Sequence, residues 1–255
     1  MKITVLVKEV PDTYGDRELD LETGLAVRTV SDAVADEVGE RALEVALSYA
    51  DSHAGTEIVV VSMGPPSTAA TLRKMLAMGA DSVVQIADDR LSGADLGLTA
   101  EVLAAAVKRI GFDAVIAGNI STDGSGGVLP AMLGELLGVP HATNLTSVEL
   151  MPSGVTGTRA TDGGIMQVTA ALPAVLSVTE AVPDARLPNF KGIMAAKKKP
   201  FETLSLDDLA VTPDATASIM TAVSKRPPRS AGVKITDEGD AGERLADFLI
   251  QNRLA

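Results

Sequence analysis

Glu57-Ile58-Val59-Val60-Val61-Ser62-Met63 runs straight into Gly64-Pro65-Pro66-Ser67 and then into the helical pattern of Ser67–Met78. The apolar residues do not alternate with polar ones, so the strand is expected to be covered on both faces, as in a parallel sheet. Working outward, Ile3–Val10, Ser82–Ala87 and Ala114–Asn119 have the same texture. Helical spacing fills the gaps at Asp36–Ala50, Ala94–Arg109 and Gly127–Leu137. Strand alternating with helix predicts right-handed crossovers and a doubly wound α/β fold. Ser67 is placed to cap the helix after Pro65-Pro66, and Gly79 and Gly111 to stop helices in the left-handed region.

Beyond Pro140 the texture changes. Thr143–Leu150, Val155–Ala160, Ile165–Leu172 and Val175–Ala181 read as strands, with turns at Pro152-Ser153-Gly154 and Asp162-Gly163-Gly164. They predict an antiparallel extension of the mostly parallel sheet. Residues 182–200 are Pro-rich, basic and non-periodic, and residues 208–240 are acidic and rich in Pro and Gly. Ala241–Asn252 reads as a short amphipathic helix. The division expected is a nucleotide-binding α/β domain over 1–200, including a docking loop at 183–199, and an extended C-terminal arm over 201–255 that packs on a partner.

Composition narrows the function. The chain has 255 residues and is 46% hydrophobic, but only 2% aromatic, so the core must be built from small aliphatic side chains. A formal net charge of -12 argues against general nucleic-acid binding, yet leaves room for a mononucleotide held by backbone amides. With no cysteine and only His53 and His141, thiolate chemistry and histidine-rich metal sites are excluded. The N-terminal apolar stretch is too short for a signal sequence, and no apolar run reaches membrane-spanning length, so a soluble, cytoplasmic protein is expected.

Four segments carry chemistry. Gly118-Asn119-Ile120-Ser121-Thr122-Asp123-Gly124-Ser125-Gly126-Gly127 follows a buried strand and precedes a helix, where open α/β sheets bind ligands. It matches neither a Walker A box nor GxGxxG and offers no lysine, so a monophosphate or pyrophosphate on backbone amides is one reading and a plain connection the other. Val61–Ser67 is either the wall of an adenosine pocket or an ordinary turn. Lys8, in Leu6–Asp12, either pairs with a neighbouring Asp or sits at a solvated strand end. In Arg186–Pro200, Phe190, Ile193 and Met194 lie beside a lysine run, which suits a protein-docking surface or a solvated basic loop. No Ser/His/Asp set, paired-carboxylate motif or metal-ligand spacing is present, and nothing makes Asp123 and Glu135 an acid/base pair.

In order along nearly the whole chain, these segments resemble the beta subunit of electron-transfer flavoproteins. Val7-Lys8-Glu9-Val10-Pro11-Asp12, Val61-Ser62-Met63-Gly64-Pro65, Leu76-Ala77-Met78-Gly79-Ala80-Asp81 and the hairpin with Arg159, Asp162-Gly163-Gly164 and Leu172-Pro173-Ala174-Val175 all fit it. Phe190-Lys191-Gly192-Ile193-Met194-Ala195-Ala196-Lys197-Lys198-Lys199 is the most specific match. The resemblance implies a heterodimer whose alpha subunit carries most contacts to a redox-active FAD, while the beta subunit buries one AMP in a structural role. It places the AMP site at Leu6, Val34, Ala35, Asp36, Met63 and the loop Asp123, Gly124, Ser125, Gly126, Gly127 and Val128 through Met132. Phe190, Ile193, Met194, Lys197, Lys198 and Lys199 would dock partners. Those partners would be acyl-CoA-type or other flavin dehydrogenases as donors, with a membrane quinone oxidoreductase as acceptor.

Two departures matter. Gly127 stands where many members have Gln, and Met166 lies near a position often acidic. Relatives that bifurcate electrons and bind a second FAD typically read DGDTAQVG, against Asp123-Gly124-Ser125-Gly126-Gly127-Val128 here, which favours the AMP type. A stand-alone adenine-nucleotide-binding regulator is the alternative of a different class. A ligase relative is disfavoured because Glu9-Val10-Pro11-Asp12 replaces a Ser/Gly loop after the first strand.

Overall fold

Lys2–Leu6 (β1) lies between two parallel neighbours, pairing Val5 with Val60 on one side and with Ile116 on the other. The chain leaves the sheet after Leu6, and Glu9–Pro11 (β2) instead pairs antiparallel with Ala33–Ala35 (β3). The single run expected over Ile3–Val10 is therefore two strands. Pro11 lacks an N–H and suits such a small edge ribbon.

Around this start the computed structural model places Glu37–Ser52 (α1), Glu57–Met63 (β4), Ala69–Met78 (α2), Ser82–Ile86 (β5), Leu96–Ile110 (α3), Ala114–Gly118 (β6) and Leu129–Leu137 (α4). There follow His141–Leu145 (β7), Ser147–Met151 (β8), Gly154–Thr161 (β9), Gly164–Ala171 (β10), Ala174–Val178 (β11), Phe190–Ala196 (α5), Phe201–Leu204 (β12) and Ala241–Gln251 (α6). The structure describes every residue except 30, 214–217, 219, 230, 233 and 255, and all of these but residue 30 belong to the expected C-terminal arm, which to that extent lies outside the described residues.

The central sheet has the order β12-β5-β4-β1-β6-β11-β7, and every pairing in it is parallel. Helices α1 and α2 cover the face carrying Ile3, Val5, Ile58 and Val60, while α3 and α4 cover the face carrying Leu6, Val59, Val61 and Val115. This is the doubly wound α/β class read from the sequence. Leu43, Leu72, Met75, Leu76, Ile116, Leu133 and Leu176 are fully buried, as an aliphatic core requires.

Beyond β6 the expectations need correction. The antiparallel strands form a separate sheet, ordered β10-β9-β8, rather than extending the main one. β11 is buried along its whole length and inserts between β6 and β7 as a parallel strand. The run Thr143–Leu150 divides at Thr146, and within β7 Asn144 (φ 58°) makes an irregular step, its N–H donating to Ser177 Oγ at 2.9 Å. Asn adopts this left-handed conformation more readily than most residues. Ser67 caps nothing: Pro66–Thr68 forms a 3-10 turn, and α2 begins after it without a side-chain cap. Gly79 (φ 146°) and Gly111 (φ 74°) do stop α2 and α3 at positive φ, but their ψ values lie outside the left-handed helical well.

Residues 182–200, expected without periodic structure, contain α5, whose N-cap Asn189 accepts from Gly192 N–H at 2.8 Å. β12 closes the sheet edge beside β5, and Leu204 and Leu206 are buried in its core. The first compact unit extends from Met1 to Thr221. The second, Ala222–Ala255, contains α6, none of whose residues is buried.

Candidate functional site

The sheet order reverses between β1 and β6: from β1 the chain winds outward through β4 and β5, then α3 carries it back to β6 on the other side. Such a reversal opens a crevice at the carboxyl ends of the two strands. Here the crevice is flanked by the chain after Leu6 and by residues 119–128 after Gly118. The sequence-predicted Leu6, Met63 and loop 123–128 all fall at the carboxyl ends of the adjacent strands β4, β1 and β6.

Lys8 spans this crevice. Its Nζ lies 2.7 Å from Asp123 Oδ1, and Arg28 lies 3.3 Å from the other oxygen. The Asp123 side chain is only 9% exposed. Burial would raise its pKa, but the Lys8 ammonium and the Gly124 N–H outweigh that and hold it at about 2. The pairing left open for Lys8 is therefore made. Asp123, expected to line a nucleotide, spends its carboxylate on holding the loop.

Asp36 ties the loop from a second side. It caps α1 by accepting from Val38 N–H at 3.2 Å, and its other oxygen accepts from Thr122 N–H at 2.7 Å and Thr122 Oγ1 at 3.0 Å. Asp36 is 3% exposed, so these bonds replace the water it gives up. Arg17 donates to the Thr122 carbonyl, adding a third tether. Val34 and Ala35 lead into Asp36 along β3.

Held in this way, Gly124, Ser125, Gly126, Gly127 and Val128 are all exposed. Ser125 (φ 51°) and Gly127 (φ 67°) take left-handed conformations, and α4 starts at Leu129 with no side-chain cap. Alternating left-handed residues just before an uncapped helix start leave backbone N–H groups available to an anion. A Cβ on Gly126 would touch the Leu96 side chain at 3.5 Å, so the loop approaches the start of α3 closely. The Asn119 Oδ1 atom at the head of the loop is buried without a hydrogen-bond partner. Met132 lies partly buried in the first turn of α4.

The second predicted group gathers on α5. Phe190 is 79% exposed, Ile193 and Met194 are about half exposed, and Lys197 and Lys198 are in solvent. Lys199 is not with them. It turns inward and donates to the carbonyls of Leu76 at 3.2 Å, Gly79 at 3.2 Å and Ala80 at 2.6 Å. Sequence reasoning also passed over Arg17 and Arg28. Their partners lie 105 and 95 residues away, so no local pattern signals them.

An electron transfer flavoprotein domain model matches residues 24–209. The electron transfer flavoprotein subunit beta of Mycobacterium tuberculosis is 41% identical over 99% of this chain and 98% of its own. The chain belongs to the electron transfer flavoprotein beta-subunit family. The subunit beta of Bacillus subtilis is 31% identical over 98% of this chain and 96% of its own. The Caffeyl-CoA reductase-Etf complex subunit CarD of Acetobacterium woodii is 31% identical over 84% and 82%. Members of this family carry electrons rather than act as enzymes in the ordinary sense, and the beta subunit implies an alpha partner. Among the described residues, no group of three or more His, Asp or Glu could hold a metal, and no helix is long and apolar enough to cross a membrane.

Proposed function

We propose that this chain is the AMP-binding half of a heterodimeric electron-transfer flavoprotein, and that it acts through two separate surfaces. The crevice between β1 and β6 holds one AMP in a structural role. The exposed face of α5 docks the redox partners. The observation that carries the first part is the Lys8–Asp123–Arg28 bridge, which fixes the loop while leaving residues 124–128 open.

The residues present fit a nucleotide monophosphate. Gly126 and Gly127 leave the loop backbone exposed, and Asn119 Oδ1 is a buried acceptor without a partner. Gly124 N–H and Ser125 N–H are spent within the loop on Asp123 Oδ1 and the Ser121 carbonyl, so the amides of Gly126, Gly127 and Val128 would receive the phosphate, while Leu6, Val34, Ala35 and Met63 would wall the adenosine. Gly127 in place of Gln removes one side-chain contact, and the exposed amides offset it.

FAD, held mainly by the alpha subunit, supplies the one- and two-electron chemistry. This chain's part is to close one wall around it and to orient partners. Acyl-CoA-type or other flavin dehydrogenases are the donors. A membrane quinone oxidoreductase is the acceptor, and the cytoplasm the location.

The test is to co-express the chain with its partner subunit, denature the purified complex and identify the released nucleotides. One FAD and one AMP per heterodimer is the expected result. Two FAD would make this a bifurcating type. No flavin in a stable complex would refute the electron-transfer reading and leave a stand-alone adenine-nucleotide binder.

A further inference from the structure

The exposed face of α5 poses a mechanical question. A seven-residue helix is far below the length that holds itself together in water, so its geometry must be imposed from outside. The imposing element is α2. Gly192 lies against the C-terminal part of α2, where a Cβ would run into the Ala77 carbonyl oxygen. Arg73 of α2 donates to the Ala196 carbonyl at 3.4 Å and lies over the Phe201 ring at 5.2 Å.

Lys199 completes the attachment. Three residues after α5 ends, its ammonium enters the C-terminal end of α2 and spends its three protons on the carbonyls of Leu76, Gly79 and Ala80. Carbonyls at a helix C-terminus otherwise lack partners, and the helix dipole favours a cation there. Burial pushes the Lys199 ammonium below the usual lysine range, with Asp81 acting against the shift. A cation placed in this way is not offered to an incoming protein. Lys197 and Lys198, its sequence neighbours, are.

We propose that Lys199 is a positioning residue for partner docking: it pins the end of α5 to α2, so that Phe190, Ile193 and Met194 are presented in one fixed orientation. The three consecutive lysines thus divide into two that face the partner and one that holds the platform. The proposal rests on the reading of α5 as the docking surface.

The test uses the full chain co-purified with its alpha subunit. Lys199→Met, the Lys197→Ala/Lys198→Ala double variant and Phe190→Ala are compared with wild type. The readouts are amide hydrogen exchange over residues 190–199, FAD content, and KM and kcat for reduction by a flavin dehydrogenase at several salt concentrations. Lys199→Met is expected to speed exchange in α5 by about tenfold or more and to raise KM, with kcat, FAD content and the salt dependence as in wild type. The double variant is expected to flatten the salt dependence and leave exchange unchanged. A Lys199→Met variant that exchanges like wild type overturns the proposal, whatever it does to the salt dependence. Should Lys199→Met fail to assemble, Lys199→Ala, which likewise removes all three bonds to the α2 carbonyls, is judged by the same exchange criterion. Phe190→Ala separates the two ideas: if it leaves KM unchanged, the docking reading fails, while exchange still reports on whether Lys199 pins α5.

Discussion

Replacing Asp123 by Asn should destabilise the protein at neutral pH and cease to matter in acid. The carboxylate is held at about 2 against an ordinary 3.8. Taken at face value, that shift corresponds to about 2.4 kcal/mol of stabilisation. Lys8 and Arg28 are themselves 44% and 45% exposed, so solvent screens the pairs and about 1–2 kcal/mol is the better figure. For a folded unit of this size that corresponds to roughly 3–6 °C in Tm. The sign follows from the direction of the shift. A carboxylate with a lowered folded-state pKa stabilises fully above its unfolded pKa, and the contribution disappears as pH falls through the folded value. The gap between wild type and Asp123→Asn should therefore be full at pH 7, begin to shrink near pH 4 and close near pH 2. Reversible chemical denaturation at a series of pH values measures it directly. A gap below about 0.5 kcal/mol at pH 7, which is within the range of an unremarkable surface substitution, would refute the reasoning. So would a gap that stays constant from pH 5 to pH 2.5.

Two further outcomes are expected. Asp36→Ala removes the cap of α1 and both bonds to Thr122, and should cost about 2–3 kcal/mol in denaturation, with Asp36→Asn retaining much of the cap and losing less; a loss under about 0.5 kcal/mol would mean the buried carboxylate does not hold the loop. Phe190→Ala should lower kcat/KM for reduction by a dehydrogenase by roughly 30-fold, equivalent to about 2 kcal/mol, at unchanged FAD content, and equal loss of FAD would sink the assignment of this residue to docking.

The parts of the fold that could be read from the sequence are those where burial leaves a local trace. β4, β5 and β6 are continuous apolar runs because helices cover both faces, and they stand almost residue for residue where the pattern puts them. What stayed hidden depends on distant pairing. β8 and β11 read alike as strands, yet one joins the small antiparallel sheet and the other is inserted between β6 and β7 of the parallel one. β8 exposes alternate residues and β11 none, a difference in keeping with their sheets. Helix α5 escaped because seven residues hold only two turns, too few for periodicity to show. The Gly-rich loop was visible through composition, but the four side chains that restrain it, those of Lys8, Arg17, Arg28 and Asp36, lie far away in sequence.

The distribution of ion pairs explains how so acidic a chain can present a basic face at the docking surface proposed on α5. Arg28 and Lys8 are committed to Asp123, Arg186 to Glu44 and Asp51, Arg90 to Asp88 and Asp207, and Arg109 to Glu202. Each of these cations is neutralised where it stands and adds little to the field felt by an approaching protein. Among the described residues, Lys191, Lys197 and Lys198 have no carboxylate within ion-pair distance, and all three are exposed around α5. They are also flanked by the exposed apolar side chains of Phe190, Ile193 and Met194. Unpaired charge beside apolar anchors gives steering and contact on one small surface, with the charges setting the association rate and the anchors the residence time. Lys199, spent on the carbonyls of α2, contributes to neither directly; under the proposal above it adds to the hold that Gly192 and Arg73 give the platform carrying the other six side chains.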